Sequence, residues 1–407
     1  MTPVTNIPVA HPAAGGPPLT VAWFSFYPVE WMPDAPEEVR RLPKLHPASW
    51  QRVLLDELAT DSSLQVHVIV LRKQFARDLT FVRRGITFHL IKVPGGLRAP
   101  SLFWLDTFSV RRVLKQIKPD VVHAWGTEQG AGLVANRLGY PRVITIQGLI
   151  SWYEKIVPYP WVVRLAGFFE RLTLARAVLV TTEAKFTFNW LQEHYPKTRV
   201  LQIEHAPDPV FHGVARTPQV GTFRFLFVGA LDFRKGGDVL LQALDQLKAE
   251  IPFELIVVGQ LKDDIAALIS RVSPELWPRV QYQHNLTPAQ IAAELSRTTM
   301  AICASRADVS PNAVKEAVVA GVPVIGTNVG GIPDYVHPGR NGVLCAADNV
   351  AALVEAIRTA CAHPLFRLGK VDPQMLEETR AYLSPKTMAQ KFRAAYFLAL
   401  EQTRKGT

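Results

Sequence analysis

Arg234 and Lys235 stand together in the run Gly229-Ala-Leu-Asp-Phe-Arg-Lys-Gly-Gly237, directly after an apolar stretch and directly before an amphipathic one. Two cations at a helix N-terminus, beside glycines that let backbone come close, suit a diphosphate: the side chains neutralise it and the amides cradle it. The run is not a Walker A loop, because it lacks the order Gly-Lys-Ser/Thr. Further on, Asp308 falls in a polar loop and Glu316 inside a helical run, with seven residues between them. Pro311, Asn312 and Ala313 open that helix, and its first amides and positive dipole end again suit an anion. In the N-terminal half the polar candidates are His123 and Glu128, which can titrate, and Gln147, a neutral amide that carries no proton.

Strands and turns must bring these groups to bear. Phe223–Val228 reads as a buried strand ending at Gly229, Asp238–Leu247 as an amphipathic helix, and Phe253–Val258 as a strand ending at Gly259. Met300–Cys303 is apolar, Ser310 suits an N-cap, Pro311 the first helical turn, and Gly321 with Pro323 closes the helix before a strand at 322–325. The same alternation runs through the first half. Strands are expected at Leu19–Phe26, Val66–Leu71, Ile86–Val93, 120–125, 142–147, Val178–Thr182 and Val200–Ile203, with helices between most of them. That pattern predicts parallel sheets covered by helices, with ligands at the carboxyl ends of strands, where Ser25, His123, Glu128 and Gln147 fall. Glu128, in a loop flanked by glycines, ranks slightly above His123 for ligand contact.

Asp308, Pro311, Asn312, Glu316, Ala317, Gly321, Pro323, Val324 and Gly330-Gly331-Ile332-Pro333-Asp334 resemble the nucleotide-sugar signature of retaining GT-B glycosyltransferases of family four, the glycosyl transferases group 1. The stretch from Gly229 to Gly237 resembles that family's phosphate-contacting element. The resemblance implies an α/β GT-B fold, two Rossmann-like domains with parallel sheets facing a central cleft. It implies a hexosyltransferase-like enzyme moving a sugar from a nucleotide-diphosphate sugar to the hydroxyl of a glycan, lipid-linked or small-molecule acceptor, with no metal and no cofactor beyond that co-substrate. In that scheme Arg234 and Lys235 hold the diphosphate, Asp308 and the backbone of Pro311, Asn312 and Ala313 grip sugar hydroxyls, and Glu316 accepts the ribose hydroxyls. Gly229 and Gly259 flank the nucleotide, and His123, Glu128 and Gln147 face the acceptor and donor sugar. Three departures stand out: Asp308 where the family has Glu, Gln147 where it has His, and no paired glycines after the first strand. An epimerase on the same scaffold, or a nucleotide-sugar-binding protein without turnover, is the alternative.

The resemblance and the composition together divide the chain into a disordered lead (1–18), an acceptor domain (19–205), a Pro- and Gly-rich linker (206–222), a nucleotide-sugar domain (223–383) and a terminal helix (384–407) that crosses back to the first domain. At 407 residues and 48% hydrophobic content, more than one core is expected. The formal net charge of +10 comes from scattered rather than clustered Lys and Arg, which argues against nucleic acid. It leaves two readings, a basic soluble surface or peripheral contact with an anionic membrane. The segment 152–177 mixes aromatics with cations, but Pro158 and Pro160 break it, so its later part is expected to be a core helix. Three cysteines without metal-ligand spacing, no apolar stretch long enough to span a bilayer and no signal-peptide order point to the cytoplasm, with the inner membrane face as the alternative site.

Overall fold

The structure is a computed structural model that describes residues 17–45, 48–218, 221–259 and 272–405. Nearly all of the lead lies outside the described residues, as do His46 and Pro47, where the spacing of Trp50, Val53, Leu54 and Leu58 predicts that a helix begins, and most of Ile265–Val272, which the sequence also predicts to be helical. The chain divides into two compact units. The first comprises 1–183, 187–205 and 385–407, and the second comprises 184–186 and 206–384.

In the first unit eight strands form one sheet: β1 (Leu19–Phe24), β2 (Leu64–Arg72), β3 (Leu79–Arg83), β4 (Ile86–Lys92), β5 (Val121–Trp125), β6 (Arg142–Thr145), β7 (Leu179–Thr182) and β8 (Arg199–Gln202). Their order is β3-β4-β2-β1-β5-β6-β7-β8, parallel except for the antiparallel edge pair β3–β4. Strand β3 is absent from the sequence expectation, because it is short and half-exposed and sits among charged residues. The order in which strands are added reverses between β1 and β5, which pair in parallel with Val21 opposite Val121. One face of the sheet packs on helices that supply Val110, Leu114, Leu133 and Phe169. The 385–405 helix meets β5 and β6, and also packs on the Ser49–Leu58 helix.

The second unit holds β9 (Phe223–Val228), β10 (Phe253–Val258), β11 (Val280–Gln283), β12 (Met300–Cys303), β13 (Val324–Thr327) and β14 (Gly342–Cys345), all parallel in the order β11-β10-β9-β12-β13-β14. Both faces are covered, so the strands read as unbroken apolar runs rather than alternating ones. Phe225 and Phe227 face the Gly237–Leu247 and Val350–Ala362 helices, and Leu226 faces the opposite core with Val314, Ala317 and Val318. Full burial of Leu240, Leu241, Leu244 and Leu247 fixes the first of these helices, each side chain contributing about 1.5–3 kcal/mol. The strand order, not the strand direction, reverses between β9 and β12.

Two local expectations change. Ser310 does not cap the following helix: Pro311 occupies the N-cap position of the Asn312–Val319 helix, and the Ser310 hydroxyl instead meets the Tyr335 hydroxyl at 2.8 Å. The stretch 206–222 is also not without regular structure. Asp208 accepts from the Val210 amide at 3.1 Å and caps a short helix, Pro209–His212, whose Phe211 is buried in the second unit's core. An Asp-Pro pair is a helix-start signal that hydrophobic periodicity over four residues cannot reveal.

Candidate functional site

In each sheet the strand order reverses once, next to the unit's first strand, and in open α/β sheets ligands bind outside the carboxyl ends of the strands at that point. In the second unit the loops leaving β9 and β12 meet there. The Lys235 ammonium is hydrogen-bonded to the Asp308 carboxylate, and the Arg234 guanidinium lies 3.7 Å from the same oxygen while donating to the Ala307 carbonyl at 3.0 Å. Asp232 holds the Lys235 amide at 2.8 Å. The structure thus brings together Arg234, Lys235 and Asp308, with Pro311, Asn312 and Ala313 three to five residues beyond Asp308 at the start of the next helix. The first amides of that helix have no intrahelical acceptor. Asn312 and Ala313 are half-buried.

The glycines permit this close approach. Gly259 has φ +158, at the edge of the range that favours glycine, and a Cβ there would fall 1.9 Å from the Gly229 carbonyl oxygen, so the ends of β9 and β10 pack backbone to backbone. Gly236, at φ +69, caps the Gly237–Leu247 helix, and a Cβ would fall 2.0 Å from the Ala304 oxygen. A side chain at either place would push the two loops apart.

Sequence reasoning missed Arg306. Its guanidinium makes two 2.6 Å bonds to Asp238, one of 2.7 Å to Asp348 and one of 2.6 Å to the Phe233 carbonyl, and it stacks 3.8 Å over the Phe233 ring. It joins the β12 loop to the β9 loop and so holds Arg234 and Asp308 in register. The only signal in the sequence is an arginine two residues before Asp308.

Glu316 lies on the Asn312–Val319 helix, half-buried. Burial pushes its carboxyl up to about 7, with the Lys315 charge opposing and the Asp208 charge adding to the shift. It therefore changes charge near neutrality.

At the β1/β5 reversal in the first unit the chemistry differs. A cavity of about 280 Å³ is walled by Phe24, Phe26, Trp50 and Trp125, with Gln51, Glu128 and Gln147 among its polar groups. Among the described residues that line it the one guanidinium is Arg98, which is matched by Asp106 in a two-pronged pair at 3.0 and 2.7 Å. Ser25 is hydrogen-bonded to Gln51. Glu128 accepts from the Thr127 amide at 2.8 Å, and burial raises its carboxyl above the usual range. The Gln147 amide nitrogen and the Trp125 indole nitrogen are buried without a hydrogen-bond partner among the described residues. Aromatic walls with sparse amides and a carboxylate suit an uncharged, hydroxyl-bearing ring: its C–H faces meet the aromatics and its hydroxyls meet the unmatched donors.

His123 does not line this cavity. It is fully buried, with Nε2 2.6 Å from the Thr145 hydroxyl and Nδ1 3.0 Å from the Tyr396 hydroxyl, to which Trp23 Nε1 also donates at 3.0 Å. Burial, with the nearby His205, holds its pKa well below the ordinary value, so the ring is neutral. A neutral ring satisfies the chain: Trp23 donates to Tyr396, Tyr396 to Nδ1, and Nε2–H to Thr145, which lies 2.6 Å from the Thr181 hydroxyl. His123 is placed to hold the Pro385–Lys405 helix on the sheet.

Among the described residues no three His, Cys, Asp or Glu side chains are grouped to hold a metal ion, and no helix is long and apolar enough to cross a membrane.

Comparison with known proteins gives a consistent result. The family described as Glycosyl transferases group 1 matches residues 222–363, and the Glycosyl transferase 4-like domain matches residues 52–204. A glycogen synthase of Mycobacterium tuberculosis (strain CDC 1551 / Oshkosh) is 28% identical over 151 residues, 37% of this chain and 36% of that protein, so the chain spans about a third of that relative's length. Sucrose-phosphate synthase from Thermosynechococcus elongatus shares the fold with a TM-score of 0.76 at 16% identity, covering 96% of this chain and 100% of that one. The Anabaena protein HepE, solved in complex with UDP-glucose, superposes with a TM-score of 0.65 at 16% identity, covering 96% and 100%. With both reversal points built and both halves matched, the chain belongs to the group 1 glycosyl transferases and has the GT-B fold.

Proposed function

We propose that this protein is a retaining glycosyltransferase that takes a sugar from a nucleotide-diphosphate donor held by the second unit and passes it to an acceptor hydroxyl held in the aromatic cavity of the first. The observation that carries the reading is the joining of Arg234, Lys235 and Asp308 beside a helix N-terminus at the β9/β12 reversal. The UDP-glucose complex of HepE supports a nucleotide-sugar donor.

In this reading the donor diphosphate competes with Asp308 for the two cations, while Asp308 turns to the sugar hydroxyls, with which a carboxylate forms short charge-assisted bonds. Glu316 accepts from the ribose. The bond between the anomeric carbon and the phosphate oxygen breaks, the acceptor oxygen bonds to that carbon from the same face, and the acceptor proton passes to the departing phosphate. Negative charge grows on that phosphate as the bond breaks, so fixed cations and helix amides stabilise the transition state more than the ground state. Those groups do the electrostatic work that a divalent ion could otherwise do, and the proposed reaction needs no metal.

The test is a thermal-shift screen with UDP-, GDP- and ADP-sugars, then transfer to an acceptor panel in a chelating buffer, with the anomeric configuration of the product read by NMR. One nucleotide class should raise the melting temperature, because a ligand that binds only the folded state stabilises it. Inverted product, or transfer that requires added metal, would remove the corresponding part of the proposal.

A further inference from the structure

We propose that the outward faces of the Trp104–Ile117 and Trp161–Leu174 helices form a docking surface for an anionic phospholipid bilayer. The later part of 152–177 is helical as its periodicity predicts, but only one side of it enters the core. Gly167, Phe169, Glu170, Thr173 and Leu174 are buried, whereas Trp161, Val162, Leu165 and Phe168 face outward, with Trp161 75% and Val162 57% exposed. On the other helix Trp104 (44%) and Phe108 (58%) stand one turn apart on the outside. The Ala131–Arg137 helix packs against both of these helices. Phe103, next to Trp104, packs edge-on at 5.0 Å against Phe169, next to Phe168, so one buried ring pair underlies both exposed rows.

Charge decides the occupant. Each helix has a single acidic residue, Asp106 or Glu170, and both are buried. Every charge these helices turn outward is positive: Arg112 and Lys115 continue the Trp104–Phe108 stripe, and Arg164 and Arg171 flank the Trp161–Phe168 stripe. Arg112 and Arg171 pair with Asp78 and Glu154 from neighbouring segments, while no carboxylate of the described residues is within ion-pair distance of Arg164 or Lys115. Exposed Trp and Phe rimmed by cations is the composition of a surface that lies in the lipid headgroup layer, where rings enter the acyl boundary and Lys and Arg meet anionic lipid. The contact is peripheral, since no helix of the described residues can span a bilayer.

The experiment is co-sedimentation of the full chain with phosphatidylcholine vesicles, with and without phosphatidylglycerol, at low and high salt. The proposal expects binding to the mixed vesicles, roughly tenfold or more weaker on phosphatidylcholine alone and weakened by salt. Replacing Phe108, Trp161 and Val162 by Ser should lower vesicle affinity about a hundredfold with an unchanged melting temperature, because each of these residues is already more than half exposed. Lys115→Glu with Arg164→Glu should abolish the preference for phosphatidylglycerol. Failure of the wild-type chain to bind mixed vesicles, or equal binding by the triple variant, would overturn the proposal. So would a concentration-dependent dimer that the triple variant abolishes without any vesicle binding, which would give the surface to a second copy of the chain. None of these readouts depends on sugar transfer, so this proposal and the proposed reaction fail separately.

Discussion

The two sheet reversals share a topology and differ in chemistry. At β9/β12 the strand ends carry glycines, two cations and a carboxylate that faces both, a place built for an anion. At β1/β5 the strand ends carry aromatic rings and amides around a cavity whose Arg98 guanidinium is already matched by Asp106. The same fold element thus supplies position in both units, and the side chains in the loops that follow decide what binds.

The difference can be broken from the charged side first. Arg234→Ala and Lys235→Ala should each lower turnover about a hundred- to a thousandfold, the usual cost of losing a fixed transition-state donor. Steady-state kinetics at saturating donor would show it, and near-normal turnover by both variants would leave the anion site without a role. A smaller effect is expected at the neutral site. Gln147→Ala should raise the acceptor KM roughly tenfold while leaving donor affinity from calorimetry unchanged, as expected for one buried amide donor. If donor affinity falls as much as acceptor affinity, the division of labour between the reversals is wrong.

The smallest effect sharpens the contrast through pH. The Glu316 carboxyl is raised by burial to about 7 in the folded chain, from 4.5 when exposed. Because the folded state then holds its proton longer than the unfolded state, the associated stability is fully present below about 4.5 and is lost as pH rises to about 7. Donor affinity should move the other way, rising as pH passes through 7, because the ionised carboxylate is the better acceptor for ribose hydroxyls. Glu316→Gln should flatten both profiles. Denaturant melts and donor titrations from pH 5 to about 8 would check the two slopes.

Much of the second unit could be read in the sequence because its signals are local. The strand before Gly229, the helix stop at Gly321 and Pro323 and the spacing from Asp308 to Glu316 each lie within one short stretch of chain. What was not legible depends on partners far apart in the chain. Lys235 and Asp308 meet across 73 residues, and Arg306 reaches Asp238 across 68. His123 resembled a ligand-facing strand end until Tyr396, 273 residues on, took its Nδ1. Helical periodicity gave the 161–174 segment an inner face, but it could not say that the other face carries tryptophan and phenylalanine into solvent, because that depends on what the neighbouring helices leave uncovered.

The Pro385–Lys405 helix has a consequence for how the protein is made. It belongs to the first unit, donates Tyr396 to the bonds around Trp23 and His123, and places Lys391 against Glu204 and Arg393 beside Asp61. On the ribosome, sheet β1–β8 emerges before residues 206–384 of the second unit, yet its own closing helix is translated only afterwards. The N-terminal sheet must therefore wait half-dressed while its neighbour folds, exposing the β5–β6 face to chaperones or to aggregation, and a nonsense codon late in the gene would damage the part of the protein that was synthesised first.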